Sequence, residues 1–206
     1  MDLRPSLDDI FRSLHKNSAQ RRIRHAKKIG VICECGISSK LLKDFYDLLV
    51  MTRGRHHLPP QPIVWFRNLI ASMNDRLEIR VAYQENVPIA AILTLRFRET
   101  VYYKYGCSSV RFKHLGAMPY LLWNAIEDSK KAGALEFDLG RSDRDNPALI
   151  SFKNHWARNP LDLTYWAYPE ARLMSGWKMS TAKRVFAWMP DRLLAATGRV
   201  IYRHIA

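Results

Sequence analysis

A mixed α/β domain, with a mostly antiparallel sheet flanked by helices, is predicted by three observations on this 206-residue chain. Residues 78–84, 88–98 and 100–107 are β-branched and aromatic runs joined by Glu-Asn and Glu-Thr turns, the pattern of an antiparallel meander. The meander is followed by a helical stretch at 115–132 and a short apolar strand at 135–139, so a strand–helix–strand crossover makes the sheet mixed. Amphipathic helical stretches also precede the meander, which supplies helices for both faces.

Taken in order, Ser6 and Asp9 form a capping box after Pro5. Leu7, Ile10, Phe11 and Leu14 then follow at helical spacing, and Ile23 and Ala26 resume the stripe after a polar patch. Gly30 closes this helix, and residues 31–35 read as a strand. Residues 40–53 place Leu41, Leu42, Phe45, Leu48 and Leu49 on one helical face, before the sequence Arg-Gly-Arg-His-His-Leu-Pro-Pro-Gln-Pro breaks the helix. A further helix is expected at 63–73. Beyond the crossover come a helix at 147–156 and a strand at 161–168. The expected organisation is a basic N-terminal helical arm at 1–30, one domain at 31–168 and a basic amphipathic helical tail at 169–206.

Composition limits the function classes. A hydrophobic content of 48% suits a globular core, and no apolar run reaches the length of a transmembrane helix. Acidic residues occur early and there is no apolar signal segment. Cys33, Cys35 and Cys107 suggest reduced thiols and a cytoplasmic protein. The Cys33-x-Cys35 pair is read as pointing to opposite faces of its strand, and no metal is expected. A net charge of +14 implies an anionic partner. Part of that charge lies on Lys16, Arg21, Arg22, Arg24, Lys27 and Lys28, with no acid among them; this fits a helix tracking phosphates or a solvated face. The tail mixes aromatic and aliphatic residues with cations, which fits contact with an anionic membrane surface or docking on the domain.

The chemistry concentrates between Leu115 and Trp156. A helix opening at Gly116 and Ala117 leaves unpaired N–H groups that can hold the phosphates of an acyl donor, and a nearby lysine can stabilise the oxyanion of acyl transfer. Arg111 and Lys113 precede that turn and can add charge. Asp138 and Arg141 lie at a strand exit, where α/β folds tend to place ligand groups; an Asp–Arg structural pair fits equally. Tyr103 and Tyr105 are expected on one face of their strand and Tyr102 on the other, with Tyr105 able to line an acceptor pocket or simply to pack. His56 and His57 could supply a base near neutral pH, although loop histidines are usually solvated.

Six segments in order resemble the GNAT acyltransferase superfamily, in its branch of FemAB-type aminoacyltransferases and BioF2-like acetyltransferase domains. They are Lys-Asn-Ser-Ala-Gln-Arg-Arg-Ile-Arg-His-Ala-Lys-Lys-Ile-Gly-Val, Thr-Arg-Gly-Arg-His-His-Leu-Pro-Pro-Gln-Pro, Thr-Val-Tyr-Tyr-Lys-Tyr-Gly-Cys-Ser, Leu-Gly-Ala-Met-Pro-Tyr-Leu-Leu-Trp-Asn-Ala-Ile, Phe-Asp-Leu-Gly-Arg-Ser and Phe-Lys-Asn-His-Trp. The resemblance implies an N-acyltransferase moving an acyl or aminoacyl group onto an amine-bearing acceptor, in cell-envelope or surface-polysaccharide metabolism. It implies acetyl-CoA or another acyl-CoA as donor, with aminoacyl-tRNA as the alternative. It places Lys153 and Phe152 at the donor carbonyl; an ordinary helical pair would show the same spacing. It places Arg111, Lys113, Leu115, Gly116 and Ala117 at the donor phosphates, although this loop carries one glycine where strong coenzyme A loops carry two. His57, Tyr105, Asp138 and Arg141 would face the acceptor. Relatives of this kind usually carry two such domains, and this chain looks like the second, so a companion domain is an expected partner. The location implied is cytoplasmic, extending to the inner membrane face. A competing expectation is a non-catalytic module that binds nucleic acid or membrane.

Overall fold

The computed structural model describes residues 1–157, 160–166, 168 and 191–202. Its elements are α1 (Leu7–Ser13), a π-helical turn (Lys16–Gln20), α2 (Arg21–Lys28), β1 (Ile32–Gly36), α3 (Ser39–Arg55), α4 (Ile63–Met73), β2 (Leu77–Gln84), β3 (Val87–Phe97), β4 (Thr100–Ser108), a 3₁₀ turn (Val110–Leu115), α5 (Ala117–Lys131), β5 (Glu136–Asp138), α6 (Pro147–Asn154) and α7 (Asp191–Ile201). The sheet order is β1-β2-β3-β4-β5. Every neighbour pair is antiparallel except β4 and β5, which run parallel because α5 connects them as a crossover.

The two faces of the sheet carry separate apolar clusters. Leu121, Leu122 and Ile126 of α5 pack over Ile92 and Phe137 on one face, and Phe45 and Phe66 of α3 and α4 pack over Ile79 and Leu93 on the other. Residues 1–30 are part of the first cluster: Ile10, Leu14 and Ile23 bury their side chains beside α5. Local signals account for the entry. Ser6 Oγ accepts the Asp9 N–H at 3.1 Å and donates to the Asp9 carboxylate at 2.6 Å. The polar patch is a π turn held by buried Gln20, whose amide donates to the Leu14 carbonyl at 2.8 Å.

Several expectations are corrected. α3 does not break at Gly54 but runs to Arg55 and ends where His57 turns to φ 53°. No strand forms over the described residues of 161–168, and Leu161, Leu163 and Trp166 are exposed there. Cys33 and Cys35 share a face, as residues two apart on a regular strand do. Tyr103 and Tyr105 do not share one, because the β3–β4 register slips between Leu93 and Thr94 and leaves Lys104 unmatched. This β-bulge inverts the alternation: Tyr103 faces the α5 cluster and Tyr105 the α3–α4 cluster. Most of the tail lies outside the described residues; α7 packs against α3.

α5 is tied down at its C-terminal end by Arg80, which is 3% exposed and pairs with Glu78 and with Asp128, the latter at 3.0 Å. A cleft of about 450 Å³ opens there, lined by Arg76, Arg80, Arg96, Glu78 and Asp128. Phe137, the middle residue of β5, is fully buried between that sheet edge and α5. Phe137→Ala is expected to destabilise by about 3–5 kcal/mol, read as a lower urea midpoint at unchanged slope.

Candidate active site

The site begins with a short pairing. β5 bonds β4 only along Thr100–Tyr102. From Tyr103 to Ser108 that edge of β4 meets no strand among the described residues. The two parallel strands therefore part, and the bulge in β4 falls where they do. Backbone N–H and C=O groups along the open edge can pair with an extended ligand that carries amides.

The sides of this fork come from residues far apart in the chain. After β5, Asp138 accepts the Gly140 N–H at 2.6 Å, which tightens the exit turn. Gly140 has φ +72°, and a Cβ there would lie 3.0 Å from the Tyr103 carbonyl oxygen; a glycine lets the turn close over the crotch of the fork. The Asn146 side chain caps α6, with Pro147 opening it. Lys153, on the last turn of α6, reaches back with Nζ donating to the carbonyls of Gly140 at 2.6 Å and Arg141 at 2.8 Å. The structure thus joins Lys153, Asp138 and Arg141. Burial pushes the Lys153 ammonium below its ordinary value, with the Asp138 carboxylate opposing the shift. Phe152 turns inward and packs on the α5 cluster beside Trp156, with ring centroids 6.5 Å apart. Arg141 is exposed and donates to the Tyr165 hydroxyl at 3.1 Å.

At the far end of β4 lies the predicted donor turn. Arg111 and Lys113 are exposed on the 3₁₀ turn, Leu115 is partly buried, and Gly116 and Ala117 are buried. Gly116 has φ +74° and no side chain caps α5. The Ala117 and Met118 N–H groups are helix-end donors, while Pro119 has none. Donor phosphates thus have two backbone donors with cations beside them, a fit to the anionic end of an acyl donor. The glycine itself answers to packing: a Cβ at Gly116 would lie 2.6 Å from the Arg22 carbonyl oxygen.

Tyr105 and His57 are placed away from the Lys153 cluster. Tyr105 sits on the α3–α4 face against Phe66, with ring centroids 5.2 Å apart. His57 is exposed beyond the end of α3. The sequence reading missed Tyr103: its hydroxyl folds back over Gly106, 1.7 Å from where a Cβ would stand there, and has no hydrogen-bond partner among the described residues. Burial pushes this phenol up. No sequence signal marks it, because its orientation depends on the bulge.

A parting parallel pair, a helix opening beside the fork and a lysine at its base now have a sequence counterpart. The model of the acetyltransferase (GNAT) domain matches residues 13–153. The chain belongs to the GNAT acetyltransferase family. The domain that this model describes is an acetyltransferase domain. The matched stretch opens among the N-terminal helices and closes on Lys153. Among solved structures the GNAT domain is similar to FemX, with TM-score 0.64 and 14% identity over 91% of this chain and 57% of that one. It is also similar to the aminoglycoside acetyltransferase meta-AAC0020 from an uncultured soil metagenomic sample, with TM-score 0.55 and 11% identity over 68% of this chain and 97% of that one. A third is the ribosomal-protein-alanine N-acetyltransferase of Brucella melitensis biovar Abortus 2308, with TM-score 0.51 and 9% identity over 69% of this chain and 100% of that one. At these identities the likeness establishes the shared fold, and the chain spans 57% of the length of FemX. No curated protein sequence matches significantly.

Gly116→Ala is expected to destabilise the GNAT domain by about 2 kcal/mol or more, since a left-handed backbone and a clash with α2 act together. Thermal denaturation followed by circular dichroism measures it. The Lys153 ammonium is expected to titrate below its ordinary value of 10.5, and a side-chain NMR titration giving a value at or above this would contradict its burial.

Proposed function

We propose that this protein is an N-acyltransferase that moves an acyl group from a coenzyme A thioester to the amine of an acceptor in cell-envelope or surface-polysaccharide metabolism. The observation that carries the reading is the fork: an open edge of β4, with Lys153 at its base and an uncapped, cation-flanked helix N-terminus at its mouth. The donor's phosphates lie against Ala117 and the Gly116 turn, with Arg111 and Lys113 adding charge and Leu115 supporting the turn. The extended arm of the donor runs along β4, and its carbonyl faces Lys153, whose ammonium stabilises the tetrahedral oxyanion while Phe152, packed on the α5 cluster, anchors α6. In the step itself the acceptor nitrogen bonds the carbonyl carbon, the carbon–sulfur bond breaks, and the thiolate takes up a proton while the nitrogen loses one. Lys153 is already desolvated and held by two carbonyls, so little reorganisation is needed when charge develops.

Arg141 and Asp138 face the acceptor from the strand exit. The acceptor groove is shared with a companion domain in this reading, which is supported by the chain's spanning 57% of FemX. Aminoacyl-tRNA is the rival donor, favoured by the exposed cations of α2. The protein works in the cytoplasm, and its tail meets the inner membrane face.

Lys153→Ala is expected to lower turnover by about 10²–10³-fold with donor affinity largely retained, checked by thiol-release assay and calorimetry. Acetyl-CoA binding is expected to survive ~0.2 M salt, whereas non-specific phosphate binding falls away as salt is added. If Lys153→Ala keeps full activity, or if all binding vanishes with salt, the catalytic reading fails.

A further inference from the structure

The donor turn has a second wall, contributed by the N-terminal helices. α2 touches the 3₁₀ turn before α5 as well as α5 itself. The approach is at backbone distance, with the Arg22 carbonyl oxygen 2.6 Å and the Arg22 Cβ 3.2 Å from a Cβ placed on Gly116. The main chain of Arg22 is therefore fixed beside the first turn of α5, while its side chain is exposed and in no ion pair among the described residues.

The end of α6 approaches from the other side. The rings of His155 and His15 lie 4.6 Å apart, and the His15 N–H donates to the His155 carbonyl at 3.1 Å. His15 Nδ1 accepts the Ser18 N–H at 3.2 Å, so its neutral ring carries the proton on Nε2 and can donate it outward. Burial holds the His155 imidazole below its ordinary value, and the groups facing it, His15 before the π turn and Arg22 on α2, act in the same direction. Among the described residues, the groups that act on it include no carboxylate. One guanidinium and two imidazoles from three segments therefore lie together, with Arg22 beside the α5 N-terminus, an arrangement that an anion would complete.

We propose that Arg22, His15 and His155 form an outer jaw of the donor site and hold a phosphate of the acyl donor against the first turn of α5. The inference rests on the donor reading above and assigns to it residues outside the predicted loop. Phosphate is common to a coenzyme A thioester and to the 3′ end of an aminoacylated RNA. Because a bound phosphate favours the charged imidazole, donor affinity rises as pH falls and is lost as pH rises through the His155 pKa of the complex.

The test is calorimetric titration of the whole chain with coenzyme A and, separately, with uncharged tRNA, for the wild type, Arg22→Ala, Arg22→Lys and, as a control on the exposed face of α3, Lys43→Ala. Circular dichroism establishes that each variant is folded, and NMR follows the His155 ring with and without coenzyme A. Arg22→Ala is expected to weaken donor binding about tenfold, Arg22→Lys to restore much of it and Lys43→Ala to leave it unchanged. The His155 pKa is expected to rise on binding. A coenzyme A response identifies the thioester as the phosphate source, and a response to tRNA alone identifies RNA. Unchanged affinity in a folded Arg22→Ala protein, or an unmoved His155 titration, overturns the jaw and leaves the donor reading standing. A wild-type protein that binds neither ligand overturns both.

Discussion

Beyond Tyr102 one edge of β4 has no strand partner among the described residues, and the arrangement of the site follows from that edge. Two parallel strands stay together only while their registers match. Here β5 is three residues long and ends in a turn held by Asp138, while β4 bends at its bulge and continues. The result is a slot whose wall is unpaired main chain, a surface that recognises an extended ligand through backbone hydrogen bonds with little demand on side-chain identity. Chemistry then has to be brought in from outside the sheet, by α6 at the base of the slot and by α5 at its mouth.

α5 is the element that must not move, and the structure secures both of its ends. At the C-terminal end the buried Arg80 links β2 to the half-exposed Asp128. At the N-terminal end the backbone of α2 rests on Gly116. Between these points Leu121, Leu122 and Ile126 are fully buried. A helix held in this way presents its first N–H groups in a fixed direction, and preorganisation of that kind separates a binding turn from a merely polar one.

Much of this was legible in the sequence. The meander, the crossover and the amphipathic helices follow from periodicity and turn chemistry, which are local. Lys153 and the Asp138–Arg141 exit were found separately, and the fold brought them within hydrogen-bond reach. What escaped was non-local. The bulge near Tyr103 is a mismatch between two strands, so neither strand announces it alone. The run from Leu161 to Tyr168 alternates like a strand but forms no ladder over its described residues, because alternation records a preference and pairing needs a partner edge. Residues 1–30 look like an appendage when their cations are counted, yet Ile10, Leu14 and Ile23 belong to the core. Arg22 was visible as a charge, and only the packing of α2 on Gly116 gives it a place beside the donor turn.

The contact between α2 and Gly116 also bears on how the molecule comes into being. The slot needs residues near position 22 and the turn before α5 at its mouth and the end of α6 at its base, and these lie far apart along the chain. On a ribosome the early helices emerge long before the turn they must cover, so their apolar faces wait for a sheet that does not yet exist. Contacts of such long sequence separation slow folding and leave a partly synthesised chain open to association with other chains. A truncated product ending before α6 would retain all five strands and lack the lysine at the base of the slot.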